Sequence, residues 1–145
     1  SHALMSLAGP CANLVIATLS FVTLKVLLGS SVFVPVAPSL LTLSHLVTPS
    51  DVYGPDSLLH PAGMALSIAL SLNMLLFVFN LLPLPPMDGS GILQGLFPTG
   101  IGRLIDLLRA NPMMSLLGLL VAWQIFPSIF QPVMSLVLGL LYAGS

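Results

Sequence analysis

Hydrophobic positions in this chain gather into long blocks and leave the polar ones in short intervals between them. Residues 4–28, 62–84 and 113–143 are apolar almost throughout. Each block exceeds the roughly 20 residues of helix needed to cross a bilayer core. The first carries one charge, Lys25, near its end, where a long stem can follow the apolar surface while the ammonium reaches water. The third is longer than one span requires and contains Pro127 and Pro132. Its pattern predicts a break near Phe126–Pro127, giving one kinked helix or two shorter pieces. The expected fold is all-α, a polytopic transmembrane helical bundle of three spans, or four if the third block divides.

The intervals have different characters. Residues 29–60 are rich in Pro, Ser, Thr and Val, and Pro35, Pro38, Pro49, Pro55 and Pro61 make a long helix there improbable. Their apolar content predicts a segment at the membrane interface or tucked against the bundle. The interval GIGRLIDLLRANP sets Leu104, Ile105, Leu107 and Leu108 on one side and Arg103, Asp106 and Arg109 on the other. This spacing predicts a short amphipathic helix on a membrane surface, stopped at Asn111–Pro112. Residues 79–91, FNLLPLPPMDGSG, end the second block with three prolines, an aspartate and two glycines in quick succession.

Composition narrows the class. Of 145 residues, 57% are hydrophobic and 5% charged, with mean hydropathy +1.10, against about 25% charged in ordinary soluble domains. Seven charges cannot cover a water-facing surface of this size, so the chain belongs in lipid. A net charge of -1 excludes a basic nucleic-acid face. Cys11 is the single cysteine, which excludes a disulfide framework and a thiolate cluster. All four acidic residues are aspartates; glutamate is absent. The opening SHALMSLAGPCANL has no basic n-region and no cleavage pattern, so it does not read as a signal peptide but as a chain that starts partway through a larger protein.

Basic residues set the expected orientation. Arg103 and Arg109 follow the second block, whereas residues 29–60 hold Asp51 and Asp56 and no Lys or Arg. The positive-inside rule then places residues 29–60 outside and 96–112 in the cytoplasm, with Lys25 the one vote against two. On that count the AGP and MDG segments share a depth and a side.

Asp88 is the sharpest chemical candidate. A charge in mid-bilayer costs about 2.5–3.5 kcal/mol on insertion scales, so a carboxylate beside an apolar span is by default functional. Pro83, Pro85 and Pro86 remove backbone donors, which membrane depth tolerates only where the backbone lines protein or water. Gly89 and Gly91 permit a tight turn or a close backbone approach. Such a carboxylate suits a metal ligand, and equally a helix cap at the headgroups. Asn73 and Asn80 share a helix face; Ser67 and Ser71 occupy another, and in lipid each needs a partner. Interhelical hydrogen bonding is the plainer role for Asn73, whereas Asn80 stands where it can hold an extended peptide. Ala8, Gly9, Ala12 and Asn13 beside Pro10 form a small-residue pattern of close helix contact, with Cys11 a small buried hydrophobe. Of His2, His45 and His60, none has a second His four residues on, and without glutamate there is no H-E-x-x-H. A site from His45, His60 and Asp88 would need the first two to leave the outside loop.

Two of these segments together resemble one family. FNLLPLPPMDGSGIL resembles the N-x-x-P-x-P-x-x-D-G signature of the site-2 protease family of intramembrane zinc metalloproteases, matching at Asn80, Pro83, Pro85, Asp88 and Gly89. SLAGPCANL resembles the family's A-G-P-x-x-N segment at Ala8, Gly9, Pro10 and Asn13. The resemblance implies that Asp88 is the third ligand of a Zn2+ ion, beside two histidines of an H-E-x-x-H helix whose glutamate is the general base. It implies that Asn80, Pro83 and Pro85 lie along a locally unwound transmembrane substrate, with Gly9, Pro10, Asn13 and Gly89 structural. It implies a multi-pass protein of a bacterial or archaeal plasma membrane, and hydrolysis of peptide bonds in transmembrane helices. Two departures stand out: the H-E-x-x-H helix is missing, and Gly91 stands where a larger residue is common. In the family that helix precedes the A-G-P segment, so residues 1–145 are expected to be the C-terminal part of a larger protease domain, inactive alone. The rivals are a pseudoprotease that binds transmembrane helices without cutting them, and a transporter built on broken helices.

Overall fold

The computed structural model describes residues 2–83 and 88–144. Five α-helices dominate it: α1 (His2–Gly29), α2 (Leu59–Asn80), α3 (Asp88–Leu96), α4 (Ile101–Ala110) and α5 (Pro112–Tyr142). A two-stranded antiparallel sheet, β1 (Phe33–Pro35) and β2 (Val47–Pro49), lies between α1 and α2. Among the described residues three helices are long and apolar enough to cross a membrane, within Leu7–Gly29, Leu59–Asn80 and Pro112–Tyr142. The fold is all-α with three spans, as the hydrophobic blocks predict.

The break expected near Phe126–Pro127 does not occur. α5 runs unbroken for 31 residues with Pro127 and Pro132 inside it. The four-span option is thereby corrected to three. A proline in a helix forfeits one backbone hydrogen bond, and in a helix flanked by Leu, Ile and Phe nothing offers the freed carbonyl a better arrangement. α1 likewise passes through Pro10. α5 starts cleanly: the Asn111 side chain accepts a hydrogen bond from the Met113 N–H at 3.0 Å, and Pro112 takes the first helical position, where no N–H is needed.

By its own contacts the chain divides into two compact units, residues 1–14 with 75–132, and residues 15–74 with 133–145. In the second unit the strands pair Phe33 with Pro49, Val34 with Thr48 and Pro35 with Val47, and Thr42 bridges His45 near the tip. A two-stranded hairpin is marginal alone. This one is held along α2, in the bundle-packed position that was one of the two predicted from composition. Phe33 and Val47 lie against Gly63, where a Cβ would meet the Phe33 ring at 3.0 Å. The Leu46 N–H donates to Ser67 Oγ at 3.1 Å, and Ser67 Oγ donates on to Gly63 O at 2.7 Å. Ser71 Oγ donates to Leu43 O at 2.8 Å. Gly63, Ser67 and Ser71 repeat every four residues, so the hairpin follows about 12 Å of one helix face. The two serines thus serve the backbone of a hairpin that the composition of residues 29–60 did not disclose.

The same unit explains Lys25. Its Nζ donates to Leu140 O at 2.6 Å and Ala143 O at 2.7 Å, satisfying carbonyls at the end of α5. Tyr142 adds a bond from its hydroxyl to Leu46 O at 2.6 Å. Lys25 is therefore committed to a helix end, which weakens its vote in the orientation count.

Candidate functional site

The first unit contains the end of α2 and everything through α4. α2 gives out at Asn80 because Pro83 follows three residues later and disfavours helix at the residue before it. The last turn tightens, with Leu81 N–H reaching both Phe77 O (3.1 Å) and Val78 O (3.2 Å), and Leu82 N–H reaching Phe79 O (3.3 Å). Leu82 is buried and packs with Ala122 of α5. Around them, Phe79 meets Phe126 edge-on at 5.2 Å between ring centroids, and Phe126 stacks on Phe130 at 5.2 Å. Beside this cluster Leu75, Leu76, Phe79, Trp123, Phe126 and Pro127 line an apolar cavity of about 380 Å³.

Helix α3 starts at Asp88. Gly89, its second residue, sits directly against the end of α2: a Cβ here would run into the carbonyl oxygens of Leu81 and Leu82. Only glycine lets these two backbones meet. The close approach expected at Gly89 is thus realised. A smaller cavity of about 190 Å³ opens at this joint, lined by Leu81, Pro83, Gly89, Ile92, Leu93 and Leu96. Pro85 and the Asp88 side chain lie outside the described part of the structure.

The amphipathic helix predicted at residues 101–110 is α4, reached through Gly100, whose φ of +66° a side chain would resist. Of the four residues on the predicted apolar side, Ile105 is buried while Leu104 and Leu107 stay exposed. Hydrogen bonds tie α4 to the preceding segment as well. Gln94 of α3 donates to Asp106 Oδ1, and Gly102 N–H donates to Phe97 O at 2.9 Å. Arg109, expected at the surface, is half-buried and donates from Nη2 to Ser90 Oγ at 2.6 Å; Ser90 is fully buried in the first turn of α3. Sequence reasoning missed both Arg109 and Ser90. No sequence signal links the two, which stand nineteen positions apart.

Other candidates separate from this cluster. Asn80 ends α2, half-buried, in the same compact unit as Asp88, Gly89, Gly9, Pro10 and Asn13. Asn73 turns to its own helix, donating to Ala69 O at 2.8 Å, so the interhelical role expected of it is not seen. Cys11 is exposed, not the buried hydrophobe expected, and Ala8, Gly9 and Ala12 are exposed with it; only Pro10 of that segment is buried. His45 and His60 are exposed, and the His45 ring meets the hydroxyls of its neighbours, Ser44 at 3.2 Å and Thr42 at 3.5 Å. Among the described residues no three His, Cys or Asp side chains could hold one metal ion; the combination of His45 and His60 with Asp88 involves a side chain outside the described residues.

Three long apolar helices, the second ending at Asn80 shortly before Pro83, describe a membrane protein. The model of Peptidase family M50 matches residues 1–123, and the chain belongs to that family, the site-2 proteases. It is similar to "Putative zinc metalloprotease YwhC" of Bacillus subtilis (strain 168), at 37% identity over 101 residues, 68% of this chain. The match covers 36% of that relative, so the chain spans about a third of its length. No solved structure matches the chain.

Proposed function

We propose that this chain forms the part of a multi-pass intramembrane zinc protease that supplies Asp88 as a metal ligand and the segment lying along the substrate. The observation that carries the reading is the Gly89 joint. It sets the first turn of α3 directly against the end of α2, so that the helix start at Asp88 and the residues just past Asn80 stay together. Membership of family M50 supports the chemistry. One carboxylate fits the third position of a two-histidine, one-carboxylate site whose histidines and glutamate would come from outside these 145 residues. Bound zinc would activate a water for peptide hydrolysis.

What this chain's own residues do follows from the joint. Asn80, half-buried at the last position of α2, can offer its amide to the backbone of an extended substrate strand. Pro83 removes a competing donor and lines the small cavity beside Gly89. The exposed Ala8, Gly9 and Ala12 present a smooth face for the helix that would bring the histidines. In this reading the substrate is a transmembrane helix entering sideways from lipid, in a plasma membrane, with residues 96–112 cytoplasmic.

The test uses the full-length protein in detergent with a model transmembrane substrate. Asp88→Asn should abolish cleavage and lower zinc content, because an amide keeps the shape but not the charge. As a helix-start residue alone, Asn would serve as well as Asp. Cleavage near wild type by Asp88→Asn removes the ligand assignment. Asn80→Ala should slow cleavage and leave zinc content unchanged.

A further inference from the structure

We propose that the protein pairs with a second copy of itself in the membrane through one face of α5, with Gln124, Ser128 and Gln131 at the contact; the inference does not depend on the zinc-ligand reading. Helix α5 is the least covered of the three spans: 11% of its most apolar stretch is buried, against 22% for α1 and 33% for α2. Its Ala122 and Phe126 pack with Leu82 and Phe79. At about 100° of turn per residue, Gln124, Ser128 and Gln131 fall on the opposite side of the helix. All three are exposed, and among the described residues none of their side chains makes a hydrogen bond. The depth makes this costly. The 31 residues of α5 rise about 46 Å. Gln124 stands about 18 Å from the start and Gln131 about 17 Å from the end, so both lie within a hydrocarbon core about 30 Å thick. Acyl chains offer an amide nothing, so two carboxamides and a hydroxyl facing outward at this depth call for a protein partner. Pro132 adds to the need, because it has no N–H to give the Ser128 carbonyl four residues back.

The pattern of the face points to an identical helix. A glutamine carries both donor and acceptor, so it can exchange two hydrogen bonds with the same residue of another copy. Copies inserted in one orientation meet in parallel, and a two-fold axis then brings each residue of the face to its own counterpart. The seven-residue step from Gln124 to Gln131, with Ser128 between them, is the period that keeps a seam closed between two helices crossing at about 20°. Leu117 and Val121 continue the same seam toward the start of α5, and both are exposed. No charge lies on it, so nothing selects an acidic or a basic partner. The face is also turned away from Leu82 and the end of α2, so pairing leaves that side of α5 free.

The experiment uses the full-length protein in phosphatidylcholine vesicles, with donor- and acceptor-labelled copies mixed at falling protein-to-lipid ratios. Energy transfer should report a reversible dimer for the wild type. Gln124→Leu combined with Gln131→Leu should weaken association by about tenfold or more, since each interhelical amide contact contributes roughly threefold to tenfold. Thermal unfolding of that double variant should be unchanged, because leucine suits a position facing lipid. A second arm uses protein from which the other cysteines, Cys11 among them, have been removed. There Ser128→Cys should oxidise to a cross-linked dimer, whereas Ile129→Cys, exposed but off the seam, should not. A monomeric wild type, undiminished transfer in the double variant, or equal cross-linking by Ser128→Cys and Ile129→Cys each overturns the proposal. A monomeric wild type whose double variant unfolds at lower temperature shows that another helix of the same protein covers the seam, which overturns it too. Should the double variant not fold, the cross-linking pair decides.

Discussion

The chain leaves regular helix twice beside α2, and the two departures handle their backbone in opposite ways. Along the first half of α2, the hairpin of residues 33–49 brings strand amides and carbonyls against a helix. Its polar groups are met by neutral hydroxyls: Ser67 takes the Leu46 N–H, Ser71 serves Leu43 O, and Tyr142 serves Leu46 O. At the other end of α2, prolines delete donors, glycine brings carbonyls into contact with the next helix, and an arginine reaches a buried serine in the first turn of that helix. A polar group that only needs burying is satisfied most cheaply by a neutral partner, because a charge costs far more to bring out of water. Where the protein retains charge instead, stability is not the explanation. The first region reads as architecture; the second is where the proposed chemistry would sit.

The two regions even use glycine differently, and substitutions can break the contrast. Gly89→Ala should have the largest effect on folding. Its new methyl meets backbone carbonyls that cannot swing away, so we expect a loss of about 3 kcal/mol and no cleavage by the full-length protein. Unchanged thermal unfolding in detergent would show that the joint is loose. Next comes Ser67→Ala, which strands the buried Leu46 N–H. A loss of about 1–2 kcal/mol is expected, with cleavage per folded molecule intact. If Ser67→Ala abolished cleavage while remaining folded, the hairpin would belong to the chemistry after all, and the comparison would fail.

Gly63→Ala sharpens the point. Its methyl meets side chains and no backbone, the edge of the Phe33 ring at 3.0 Å and Val47 at 3.5 Å. The strain is offset by the better helix propensity of alanine, worth about 0.8–1 kcal/mol. The net change should be near zero, in contrast to Gly89→Ala, and a side-by-side melt of the two variants checks it. Smallest of all is Asn73→Ala. Its amide bonds a carbonyl of its own helix, so removal should shift stability by less than about 0.5 kcal/mol. A large loss would reveal a partner from another helix.

Much of this was legible in the residue order. The three spans, the short amphipathic helix stopped at Asn111–Pro112, the end of α2 near Pro83 and the close approach at Gly89 follow from local rules: run length, periodicity and backbone restrictions travel with the sequence. Those rules also misjudged specific residues. Pro127 looked like a break and is carried inside α5, because whether a helix survives a proline depends on what surrounds the freed carbonyl. Residues 29–60 showed only that they are not a long helix. That they form a hairpin depended on Gly63, Ser67 and Ser71, a small polar stripe on a different element. Arg109 looked like a surface charge, since its helix pattern contains no trace of Ser90 nineteen positions earlier. The sequence by itself determined where the chain must be helical, where it must stop and which carboxylate stands at the stop. Only the tertiary structure decided which polar side chains meet, because a hydrogen bond is made at about 3 Å between groups that the chain order leaves far apart.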